Sequence, residues 1–258
     1  MTRNIWSRNE LIAAFNLYCK IPFSKIHYSH PQVVELARII GRTPSSVALK
    51  LVNFARLDPK LQSRNVAGMS HGSKAEKEIW AEFYGNGNWE DLAYQSEAVL
   101  ARLKGESIEQ SAGLDTATLP KDGKMRQRMI KVRVNQNFFR SAVLAAYNSR
   151  CCITGLPVAE LLVASHIIPW AKDEKNRMNP ANALCLNLLH DKAFDRGLIT
   201  ISTDYRLKLS KILLMQKKNA AVQSLFLPYE NQPIRLPNRF LPDTAFLEYH
   251  NNVIFQKG

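Results

Sequence analysis

The 258-residue chain predicts an α+β protein: a helical amino-terminal domain with a helix-turn-helix outline, followed by a small mixed carboxy-terminal domain. Three observations carry that prediction. Apolar residues recur at helical spacing through the first sixty positions, a polar, glycine-containing stretch interrupts them at 104–124, and residues 161–197 read as strand, turn, strand, helix. The resulting boundaries are 1–103 for the helical domain, 104–124 for a linker and 125–258 for the second domain.

Residues 10–18 place apolar side chains at helical spacing behind the polar start Ser7-Arg8-Asn9. Pro31 opens a second helix over 33–40. Gly41-Arg42-Thr43-Pro44 then makes a tight turn, with Thr43 or Ser45 able to cap a third helix over 47–54. That outline offers Arg42, Ser45, Ser46 and Lys50 to DNA, although two helices on a short turn serve packing or dimerisation equally well. Residues 77–92 complete the front domain, broken at Gly85 and Gly87. Past the linker, 136–147 reads as one amphipathic helix. Phe139, Val143, Leu144 and Tyr147 pack, while Arg133, Gln136 and Arg140 face phosphate or solvent.

The apolar run 161–164 suits a buried strand that delivers His166 at its end, with Pro169 closing it. Asn182 follows Asn179 and Pro180 in a turn-rich stretch and precedes a second strand-like run, 183–186. Residues 188–196 carry Leu189, Ala193 and Phe194 at helical spacing, and Gly197 stands just past the end. Asp191 and Asp195, four apart, share one face of that helix. Residues 198–209 alternate around Thr203-Asp204 and read as a hairpin. The tail, with Pro228, Pro233, Pro237 and Pro242, predicts extended segments around the back of the domain.

Several of these residues form spaced motifs. Cys152, Thr154 and Gly155 come first, then Ala164-Ser165-His166-Ile167 with Pro169-Trp170. Asn179-Pro180 with Asn182 and Leu184 follows, and Asp191, Phe194, Asp195 and Gly197 close the set. Over about forty-five residues this resembles the core of HNH nucleases of the ββα-metal type, in a restriction-endonuclease-like subgroup. The segment 41–59 also resembles a region in front of many bacterial HNH restriction endonucleases. The resemblance implies that His166 is the general base, for which an imidazole titrating near neutrality is suited. It gives Asn182 the task of holding the turn or orienting the base. Alignment on Phe194 and Asp195 favours Asp191 as metal ligand, whereas residue type would choose His190. Many members carry Asp or His just before the base, where this chain has Ser165. A carboxylate ligand suits magnesium or manganese.

Many HNH domains are stapled by paired Cys-x-x-Cys motifs. Here Cys151 and Cys152 are adjacent, Cys185 stands alone and Cys19 lies far upstream, so no structural zinc is expected and the thiols read as reduced and buried.

The net charge of +13 is unevenly spread. Residues 1–120 carry 14 Lys and Arg against 12 Asp and Glu, while 121–258 carry 21 against 10, giving +2 and +11. That excess suits phosphate docking with counterion release. Its densest run, 121–133, serves either as phosphate contact or as a solvated linker. No apolar run approaches a membrane span and the start lacks an apolar leader core, which predicts a cytoplasmic protein without a membrane partner. The expectation is a metal-dependent HNH endonuclease hydrolysing DNA in a restriction or defence role, with dependence on base modification left open. Cutting both strands needs two sites or two nicks, so a homodimer is expected. The alternatives are a DNA-binding protein whose degenerate HNH core no longer cuts, in keeping with Ser165, and an RNA-cleaving toxin.

Overall fold

Helices near the amino terminus begin where polar side chains satisfy the first unpaired amides. The computed structural model describes residues 5–63 and 74–256. In helix α1 (Arg8–Lys20), Ser7 Oγ accepts from the Glu10 amide at 3.3 Å and the Glu10 carboxylate accepts from the Ser7 amide at 2.6 Å, a reciprocal cap. Helix α2 (Pro31–Ile40) ends at Gly41, whose φ of 67° is a conformation that favours glycine. Thr43 caps α3 (Pro44–Ala55) and Asp58 caps the single turn α4 (Pro59–Gln62). Helix α5 (Lys74–Trp80) continues into a π-helical turn at Ala81–Gly85, and α6 (Trp89–Lys104) follows. Helix α1 packs on α2, α3, α5 and α6 and buries Leu11, Ile12, Phe15 and Tyr18. Each such side chain contributes about 2 kcal/mol by leaving water.

The segment 104–124, read as a linker, carries a capped turn, α7 (Ile108–Ser111). Ser111 Oγ donates to Glu97, and Arg126 Nε donates to Glu109 at 2.9 Å, so the segment is tied to its neighbours on both sides. Helix α8 (Gly123–Ala146) begins well before position 136. Its start is set by Asp122, whose carboxylate accepts from the amides of Lys124 and Met125. The basic run is thus the first half of a helix, with Ile130 and Val134 buried and Lys124, Arg128, Lys131 and Arg133 exposed. The chain divides into two compact units, 1–142 and 143–258, so the division falls within α8 rather than in the polar stretch upstream.

The second unit is built on an antiparallel hairpin of β1 (Leu162–His166) and β2 (Ala183–Asn187), with Leu162 opposite Asn187 and His166 opposite Ala183. Helix α9 (Leu188–Asp195) starts at once, because Asn187 Oδ1 accepts from the His190 amide at 2.9 Å, and it packs back on both strands. Leu162, Leu184, Leu186, Ala193 and Phe194 are buried in this unit. Cys151, Cys152 and Cys185 are buried free thiols, with the Cys152 amide donating to the Cys185 carbonyl at 2.7 Å. A second hairpin pairs β3 (Ile199–Ile201) with β4 (Leu207–Leu209).

The tail is more helical than its prolines suggested. Ser210, Asn219 and Asp243 cap α10 (Lys211–Met215), α11 (Ala220–Leu225) and α12 (Thr244–Tyr249), and the four prolines fall between α11 and α12. The chain then closes against α9. His250 stacks on Phe194 with centroids 3.7 Å apart and bonds to the Phe194 carbonyl and Thr200 Oγ1. Gly197, at φ 66°, is required here, since a Cβ would lie 2.1 Å from the Ile254 carbonyl oxygen. Among the described residues no helix is long and apolar enough to cross a membrane.

Candidate active site

Strand β1 ends on His166, and the long loop to β2 folds back over it. The ring Nε2 lies 2.8 Å from the Arg177 carbonyl oxygen. A carbonyl only accepts, so Nε2 carries the proton and Nδ1 is the lone-pair nitrogen. Burial pushes the His166 pKa below the ordinary 6.5, against the Arg177 carbonyl and the nearby charge of Asp191, which favour the protonated ring. The imidazole is therefore neutral at neutral pH. Its ring also meets Trp170 edge-on, at 5.5 Å and 88°.

Asn182 is fully buried, and its amide is spent on the loop. Oδ1 accepts from Ile168 N–H at 2.8 Å, and Nδ2 donates to the carbonyls of Ile168 at 3.2 Å and Asn176 at 3.3 Å. Asp173 in turn receives both the amide and the side-chain Nδ2 of Asn176. These three bonds tie Asn182 to the backbone of the loop that carries Arg177, an arrangement suited to the turn-holding task that the resemblance implies for it.

Helix α9 presents Asp191, partly exposed, within electrostatic reach of His166. Partial desolvation and the charge of Asp191 raise the Asp195 carboxyl one turn on. His190 is placed otherwise. It is 1% exposed, with Nδ1 3.0 Å from Asn187 Oδ1 and Nε2 3.0 Å from the Leu225 carbonyl. Burial lowers the pKa and keeps the ring neutral, so it carries one N–H, which Nε2 gives to the Leu225 carbonyl, and Nδ1 keeps its lone pair beside Asn187 Oδ1. Ser165 is buried, and its hydroxyl has no hydrogen-bond partner among the described residues. No cluster of three or more His, Cys, Asp or Glu suited to a metal ion is found among the described residues.

In keeping with this ββα hairpin-helix, with a histidine at the end of its first strand and an acidic helix behind it, residues 151–202 match the family model described as HNH endonuclease. This segment is an HNH-family domain. No curated protein matches the chain in a sequence search. The HNH match points to nuclease chemistry on nucleic acid for the matched segment, and HNH nucleases generally use a divalent metal ion.

Outside the HNH segment, the predicted nucleic-acid contacts divide. Arg133, Gln136 and Arg140 are exposed on one face of α8, within the 1–142 unit. Arg133 and Gln136 line a groove of about 310 Å³ with Leu114, Arg128, Met129 and Val132. Arg42 and Lys50 are differently employed. Arg42, its side chain 8% exposed, pairs with Glu10 at 2.6 Å and lies over the Trp6 ring at 4.4 Å. Lys50, 12% exposed, pairs with the fully buried Glu76 and approaches the other cation's ring partner, Trp6, at 5.1 Å. Their charges are paired inside the helical unit, which leaves Ser45, exposed, and Ser46, partly exposed, of the four residues that the recognition-helix outline offers to DNA.

Two residues of the HNH loop escaped the sequence reading. Trp170 lies in the Ile-x-Pro-Trp motif, which gave a signal for it. Arg177 gave none, because it meets His166 through a backbone carbonyl that any residue supplies.

Proposed function

We propose that the chain is a metal-dependent HNH endonuclease hydrolysing DNA phosphodiester bonds. The observation that carries this reading is the His166–Arg177 bond, which fixes the tautomer with Nδ1 as the proton acceptor while burial keeps the ring neutral. His166 Nδ1 takes a proton from the water that attacks phosphorus, and the Arg177 carbonyl holds the resulting imidazolium. Asn182 keeps that carbonyl in place. Asp191, with Asp195 one turn away, fits a hard cation of the magnesium or manganese class, since such ions use one or two carboxylates and complete their shell with water and substrate oxygens. When bound, the ion supplies Lewis-acid polarisation of the phosphoryl group and stabilises charge on the leaving oxygen. A restriction or defence role suits such an enzyme. Cutting both strands calls for two copies or two successive nicks, hence a homodimer.

Ser165 and the sparse ligand set favour a second reading, a nucleic-acid-binding protein that no longer cuts. The test is incubation of plain plasmid, cytosine-methylated plasmid and RNA with magnesium or manganese, using wild type and His166→Ala. DNA cleavage lost in the variant supports the proposal. RNA cleavage alone moves the substrate to RNA, and intact products throughout, with affinity retained, favour the binding protein.

A further inference from the structure

The loop that holds His166 also carries a cation at the edge of the site. Arg177 Cζ lies 5.1 Å from the centroid of the Trp170 ring, and that ring lies 5.5 Å from the ring of His166. The guanidinium is thus two ring contacts from the base. Its side chain is 25% exposed, and it pairs with Glu174 at 3.2 Å, a carboxylate whose own side chain is 86% exposed. Lys172 and Lys175 are exposed on the same loop. The loop is braced from below by the Asp173–Asn176 bonds, by Asn179 capping onto Ala181, and by Asn182.

From this arrangement we propose that Arg177 forms a phosphate subsite beside the base, where a nucleic-acid backbone phosphate next to the scissile one displaces Glu174 from the guanidinium. Three physical points support it. An ion pair to so exposed a carboxylate is weak and exchanges at little cost. A planar guanidinium binds a phosphate through two parallel hydrogen bonds, which an exposed glutamate does not match in strength. Stacking on Trp170 removes the rotamer freedom that an arginine otherwise loses on binding. Because the same residue gives its carbonyl to His166, seating a phosphate on the guanidinium registers the strand against the base. This subsite deepens, and rests on, the reading of His166 as the base of a nuclease.

The experiment measures affinity for a labelled DNA duplex and for an RNA of the same length by fluorescence anisotropy. It uses the full chain in the non-cleaving His166→Ala background across a range of salt, adding Arg177→Ala, Arg177→Lys or Glu174→Gln. Every variant keeps the backbone carbonyl, and melting curves check folding. Arg177→Ala is expected to weaken binding about tenfold and to lower the slope of log affinity against log salt by about one. Arg177→Lys recovers part of the affinity, and Glu174→Gln tightens binding. Equal affinities and salt slopes for all these variants would overturn the subsite. Cleavage persisting in His166→Ala alone, with binding still dependent on Arg177, would remove the base and leave the subsite standing.

Discussion

At the scale of single residues, His166 is tuned by what covers it. Trp170 borders the ring, and burial is the largest influence on its protonation, lowering the pKa. As the proposed general base His166 must be unprotonated, so cleavage is expected to fall as pH drops through its pKa in the folded protein, below the ordinary 6.5. Trp170→Ala opens the ring to water and moves the pKa back up. The acid limb of the pH–rate profile is then expected at higher pH in Trp170→Ala than in wild type, read as kcat/KM with one DNA substrate. Coincident acid limbs would show that Trp170 does not screen the base. At Asn182 the motif's spacing identified the residue and left two tasks open, holding the turn or orienting the base, and its three hydrogen bonds to loop backbone suit the first.

At the scale of elements, α2 and α3 were readable from their punctuation. Pro31, Gly41, Thr43 and Pro44 fix where the two helices start and stop, and the observed bounds follow them closely. What the α3 surface does was not readable, because a lysine on a helix looks alike whether it meets solvent or a carboxylate from another helix. Lys50 meets Glu76 of α5, which is wholly buried and also accepts from Asn53 Nδ2. Lys50→Ala leaves that carboxylate without its cation in the interior, and the expected cost is on the order of 3 kcal/mol of stability. Chemical denaturation would record it as a lower midpoint. Unchanged stability with weakened DNA binding would return Lys50 to the role of a DNA contact. In the tail all four prolines lie between α11 and α12, so they leave untouched the helices that Ser210, Asn219 and Asp243 cap on either side.

At the scale of the whole molecule, the charge is distributed differently from what halving the chain suggested. The unit 1–142 holds 21 Lys and Arg against 13 Asp and Glu, and 143–258 holds 14 against 9, giving +8 and +5. Much of the carboxy-terminal excess sits on the first half of α8, which belongs to the other unit. Stability also carries a pH signature in the HNH unit. Burial pushes the His250 pKa down to about 4, from an ordinary 6.5, with the ring stacked on Phe194. A histidine depressed in this way is neutral when folded and binds a proton more readily when unfolded. Its contribution is complete above pH 6.5 and is lost as pH falls towards 4, by on the order of 3 kcal/mol. Melting temperature is expected to drop across that window in wild type and to drop less in His250→Phe, which keeps the stack without a titrating ring. Parallel declines in the two proteins would assign the acid sensitivity elsewhere.

The amino-acid sequence by itself determined the ββα order, the ends of α2, α3 and α9 and the position of His166, because periodicity, caps and glycines act within a few residues of one another. Asp191 was likewise placed on its helix by local spacing. Only the tertiary structure decided which polar groups are already spent. His190 turned to Leu225, Arg42 to Glu10, Lys50 to Glu76, and Arg177 gave its carbonyl to His166. These pairings join residues far apart in the chain or run through backbone atoms common to every amino acid. A side chain's type states what it is able to bond, while the fold sets which partner comes within about 3 Å of it.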